Sequence, residues 1–134
     1  MKSIFELKNP LPFDADVFEQ MKNTALELLC GTEKKEYTQA IVLLSSAGRE
    51  YGAIIENALS GDKKEEKSLT ERLLSANDTK LSHILCVWQD GEIDVPSFAL
   101  RQMLLDIDPS NKDCGLFVIT ADGCSVMSLA NTMK

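Results

Sequence analysis

The chain has 134 residues and a mass of 14.8 kDa, enough for one domain, residues 1–134, around one core. Fourteen Lys and Arg against twenty-one Asp and Glu give a net charge of −7 and a pI near 4.7, a balance that argues against nucleic acid as a partner because phosphate binding needs clustered cations. Apolar residues make up 44%, sufficient for a packed interior, yet no apolar run approaches the roughly 18 residues needed to span a membrane.

Residues 1–13 read as an N-terminal extension; they lack the basic start, apolar stretch and cleavage site of a secretory leader. The four cysteines, Cys30, Cys86, Cys114 and Cys124, lie far apart, and two fall inside apolar runs. Reduced, buried thiols in a cytoplasmic protein fit this better than a disulfide frame.

The first predicted helix covers residues 16–30. Val17, Met21, Ala25, Leu28 and Leu29 recur at helical spacing, Asp16 and Glu19 are candidate caps, and Gly31 ends it. Residues 37–44 carry the apolar run of a buried strand, and Ala47-Gly48 turns the chain into a second strand at 50–55. A charged loop over 60–67 should be solvated, with a short helix after it at 69–76. The apolar stretch 83–88 belongs in mid-sheet. Ser97 sits at an N-cap position, and residues 98–107 are apolar almost all round, as in a helix covered on most sides. Asp108-Pro109 stops that helix. Residues 115–120 form another central strand, and Asp122-Gly123 signals a hairpin into a last strand at 125–128. The order α-β-β-α-β-α-β-β implies an α/β fold with three layers, a five-stranded mixed sheet between helices on both faces.

Three strings carry a family likeness: Ile54-Ile55-Glu56-Asn57-Ala58, Leu69-Thr70-Glu71-Arg72, and Pro96-Ser97-Phe98-Ala99-Leu100-Arg101-Gln102. With the element order they resemble the cytidine deaminase family, in particular its small free-nucleoside enzymes, over about residues 16–133. The family shows N-x-E-N-A, C-A-E-R or H-A-E, and P-C-x-x-C-R-Q at the corresponding places. The resemblance implies a three-layer αβα cytidine deaminase-like sandwich. It also implies a zinc site in which three protein ligands hold the metal, the metal activates water and a Glu shuttles the proton.

On that correspondence the ligand positions are Leu69, Ser97 and Leu100, none of them a thiolate or an imidazole. The expectation is therefore a divergent member with no zinc and no other cofactor. Two leucines would fill the metal position with hydrocarbon, contributing on the order of 1.5–3 kcal/mol each if the space is dry. Cysteine restored at all three positions is expected to recover metal binding.

Glu71 holds the position of the proton shuttle, and the alternative is structural: Ser68 and Glu71 have capping-box spacing. Glu56 falls where the family holds a sugar hydroxyl, but its companion two residues earlier is Ile54, which cannot share that task. Arg72 reads either as exposed or as paired with Glu71 or Glu56. Ser97 reads as an N-cap rather than a nucleophile, and Trp88 and Phe98 as core. Where the family carries P-Y-S ahead of its first strand, residues 31–36 read Gly-Thr-Glu-Lys-Lys-Glu.

Two functions follow. One is a catalytically silent, zinc-free relative acting as a nucleoside- or nucleotide-binding or assembly module, with a homodimer or homotetramer implied by the resemblance. The other is an aminohydrolase or other hydrolase working through Glu71, which would have to draw hydroxide from water of pKa near 15.7 rather than about 7.

Overall fold

The computed structural model describes residues 4–5, 9–33 and 35–133. The elements are β1 (Ile4–Phe5), α1 (Ala15–Cys30), β2 (Gln39–Ser45), β3 (Glu50–Ile55), α2 (Lys64–Ser75), β4 (Leu81–Trp88), β5 (Ile93–Asp94), α3 (Phe98–Ile107), a 3-10 helix (Pro109–Asp113), β6 (Gly115–Thr120), β7 (Gly123–Ser128) and α4 (Leu129–Thr132). The sheet has seven strands rather than five. The five expected strands are present, and the two extra ones, β1 and β5, are two residues long. A ladder that short leaves no period-two pattern in the sequence.

The order across the sheet runs β1-β6-β4-β2-β3, with β7 on β6 and β5 on β4. β2 is antiparallel to both of its neighbours, whereas β4 and β6 are parallel and pair only at His83–Gly115 and Ile84–Leu116. Because β2 occupies one side of β4 along its length, β5 must lie on the other, where β4 and β6 splay apart. β1 fills the β6 side of that fork through Ile4–Ile119 and Phe5–Thr120. Part of the predicted N-terminal extension is thus built into the sheet.

Side chains of β2 alternate between two cores, which is why the strand reads as an unbroken apolar run. Ala40 and Val42 meet Met21, Ala25 and Leu29 of α1, together with Leu85, Val87 and Phe117. Ile41 and Leu43 lie in the opposite core with Cys86, Leu69 and Leu73 of α2, and Leu100 and Leu104 of α3. Gly52 permits the close seat of α1 on β3: a Cβ there would lie 2.8 Å from Leu28 Cδ1. Gly48 and Gly123, with φ of 90° and 117°, take the left-handed turns for which only glycine pays no steric penalty.

The caps differ in part from expectation. Asp14, not Asp16 or Glu19, caps α1, its Oδ1 accepting from the N–H groups of Asp16 and Val17 at 3.1 and 3.2 Å. The stretch read as a solvated loop before α2 is half helix. α2 opens at Lys64, so Ser68 and Glu71 both lie inside it and form no capping box. α3 matches its predicted span, although Phe98 is 58% exposed instead of buried. As the first helical residue, Phe98 projects beyond the core and lies 5.8 Å from the Arg101 guanidinium, centroid to carbon. All four cysteines are free, but only Cys86 and Cys114 are buried as expected; Cys124 is half-buried and Cys30, the last residue of α1, is exposed. Among the described residues, no helix is long and apolar enough to cross a membrane.

Candidate functional site

α3 starts from a well-defined turn. Pro96 fixes the approach, and Ser97 Oγ accepts a hydrogen bond from the Leu100 N–H at 3.1 Å. Arg101, one turn on, folds back: its Nε donates to the Pro96 carbonyl at 3.1 Å, and one terminal nitrogen donates to the Thr132 carbonyl at 2.8 Å. Burial lowers the Arg101 pKa, opposed by the charge of Asp94 and by Cys86. Asp94, itself buried, accepts from the Trp88 indole N–H at 2.8 Å and from the Val95 N–H at 2.7 Å.

The start of α2 is wired differently. Asp62 Oδ1 accepts from the Lys64 N–H at 3.1 Å. Lys63 Nζ donates to the Ala58 carbonyl at 3.3 Å and lies 3.6 Å from Glu66 Oε2. Glu66 is only 2% exposed, and its Oε1 has no hydrogen-bond partner among the described residues. Between the two helix starts lies the Cys86 thiol. Burial pushes its pKa up well above the usual thiol range; the Asp94 and Glu66 charges add to this and Arg101 opposes it. The thiol stays protonated and is no nucleophile.

Leu69 and Leu100 are completely buried in the core under α2 and α3. Leu69 stands five residues past the first residue of α2, in its second turn. At about 1.5 Å of rise per residue, it is some 7 Å from the helix start. Lys64, Glu65 and Glu66 occupy the start instead. Glu71 is exposed on α2, and Glu56, exposed just beyond β3, uses its backbone carbonyl to accept from Thr38 Oγ1 at 3.1 Å. Neither carboxylate lines the shallow cleft of about 340 Å³ between β3 and α2, which includes Ile54, Glu65, Leu69 and Arg72. Arg72 is exposed and donates to the Gly52 carbonyl on the open edge of β3, so its partner is backbone and not a carboxylate.

No protein-family model matches the sequence, and no curated protein does. Solved structures do match. The chain is similar in fold to the cytidine deaminase of Mycobacterium leprae, with a TM-score of 0.65 and 19% identity over 87% of this chain and 96% of that one. It is similar also to the enzymes of Burkholderia pseudomallei (TM-score 0.59, 17% identity, 84% and 93% covered) and Bacillus anthracis (TM-score 0.65, 11% identity, 87% and 86% covered). The chain has a cytidine deaminase-like fold.

Whether a cytidine deaminase-like site here fits zinc depends on its own donors. Leu69 and Leu100 have none, and the Ser97 hydroxyl is engaged as an N-cap. With the α2 position taken from the helix start instead, Glu65 and Glu66 replace Leu69. Even so, no group of three His, Cys, Asp or Glu among the described residues is placed to hold a metal ion. The residues do not fit the metal.

Glu66, Lys63 and Asp94 went unnoticed in the sequence. Glu66 was hidden in a run of alternating charge, the pattern of a solvated segment, and its only signal is the three-residue spacing from Lys63. Asp94 carried no clear local signal, because Trp88 meets it only through the β4–β5 turn.

Proposed function

We propose that this chain is a zinc-free, catalytically silent protein of cytidine deaminase-like fold, kept as a nucleoside- or nucleotide-binding or assembly module in the cytoplasm. One observation carries the reading: fully buried hydrocarbon, Leu69 and Leu100, stands at two of the positions assigned to metal ligands, and a capping hydroxyl at the third. Without a metal to lower the pKa of water, hydroxide is scarce at neutral pH, and an exposed Glu71 has no activated water to serve. The solved structures similar in fold are described as cytidine deaminases, which makes a nucleoside the first ligand class to try. A homodimer or homotetramer is the assembly this reading favours.

Three measurements test it. Purified protein should hold no stoichiometric zinc. It should leave the ultraviolet absorbance of cytidine unchanged with and without added zinc. A nucleoside or nucleotide should raise the melting temperature with dose, or light scattering after gel filtration should give a multiple of the 14.8 kDa chain mass. Cytidine turnover refutes silence. A monomer that responds to none of these ligands refutes the module.

A further inference from the structure

The starts of α2 and α3, whose Glu66 and Arg101 both act electrostatically on Cys86, carry charges of their own. Lys63, half-buried with its side chain 18% exposed, pairs with the buried Glu66, 3% exposed. Arg101 and Asp94 lie on the other side, and Asp94, Arg101 and Glu66 all act electrostatically on the same thiol. Two cations and two carboxylates sum to zero, the condition under which charge is tolerated in an interior. Each cation also holds backbone in place. Lys63 ties the Ala58 carbonyl to the first turn of α2, and Arg101 ties Pro96 and Thr132 to the first turn of α3.

We propose that Lys63, half-buried against the buried Glu66, is the built-in cation of this fold, and that with Arg101 it fixes the two helix starts that a metal would otherwise organise. The idea rests on the metal-free reading above and goes beyond it by naming what replaces the metal. The segment between β3 and α2 is closed by local bonds, Leu59 N–H to Asn57 Oδ1 and Asp62 N–H to Ser60 Oγ, but Lys63 alone among these contacts links it to a side chain of α2. Loss of the ammonium would leave Glu66 as an unpaired buried carboxylate, the costly half of a broken ion pair. Removing both charges together would leave an apolar surface beside Leu69, which a hydrophobic core accepts.

The test is thermal unfolding of the full chain, purified with its metal content measured. The parent should melt at the same temperature in chelator and in added zinc. Lys63→Met should lower Tm by roughly 10 °C or more, and Lys63→Met with Glu66→Leu should recover at least half of that loss. If Lys63→Met does not fold, the double variant decides: a folded double supports the proposal, and an unfolded one overturns it. A Lys63→Met protein as stable as the parent overturns it too. Stoichiometric zinc, or a parent destabilised by chelator, would overturn both this proposal and the metal-free function. A failed ligand and assembly screen would remove only the function, and absent coupling in zinc-free protein only the built-in cation.

Discussion

Truncating either buried leucine probes the filling of the site directly. Leu69 and Leu100 are both 0% exposed and share one core cluster with Cys86 and Leu73. Leucine to alanine deletes three carbons. At about 0.8 kcal/mol per buried CH₂ the transfer loss is about 2.4 kcal/mol, and the cavity left behind raises the total to about 2.7–5 kcal/mol. An unfolding entropy of about 2.1 cal/mol/K per residue converts this to a fall in Tm of about 10–18 °C for a chain of this length. Urea denaturation followed by far-ultraviolet circular dichroism should show the midpoint of Leu69→Ala and of Leu100→Ala shifted down at unchanged slope. A water-filled pocket behaves otherwise: its walls are already solvated, and shortening them costs little. If both variants stay within about 1 kcal/mol of the parent, the site is not packed with hydrocarbon and the argument against metal loses its main support.

Two other predictions concern different parts of the chain. His83 is half-buried on β4 and stacks on Phe117 at 5.4 Å between ring centroids; burial lowers its pKa from the ordinary 6.5, with Asp14 opposing. In the window below 6.5 the unfolded chain therefore binds more protons than the folded one, so stability is full above that value and declines as pH falls through the window. The urea midpoint should drop from pH 7.5 to 5.5 in the parent and much less in His83→Gln; a flat parent curve refutes the linkage. The second concerns register. Leu69→Cys with Ser97→Cys and Leu100→Cys should take up zinc, because thiolates would then stand at all three positions assigned to metal ligands. A triple variant that folds yet takes up no zinc refutes the assignment of these three positions.

Elements were legible where one physical signal dominated. β2, β4 and β6 are covered on both faces, so they announce themselves as unbroken apolar runs, and Ser97 after Pro96 marks the start of α3 because both residues act locally. The β6–β7 hairpin was fixed by Asp122-Gly123, where the turn needs a left-handed glycine. α2 was misplaced for a reason of the same kind. Its first turn is made of charged residues, which solvated loops also favour, and the capping-box spacing of Ser68 and Glu71 offered a false start one turn later. Leu69 consequently lies in the second turn of α2 instead of at its start, while Ser97 caps α3 as expected.

The misplacement changes which residues matter without changing the chemistry available. At the assumed position there is a leucine with nothing to donate; at the helix start there are carboxylates, one of them, Glu66, already facing an ammonium 3.6 Å away. A dication arriving there would have to compete with Lys63 for that carboxylate and would meet the positive charge of Arg101 on the side of α3. Both registers therefore lead to the same conclusion by different physics, hydrocarbon in one and prior charge pairing in the other. The two can be told apart, since leucine truncation weakens the packing alone, whereas substitution of Lys63 removes the charge facing Glu66 and the hydrogen bond to Ala58.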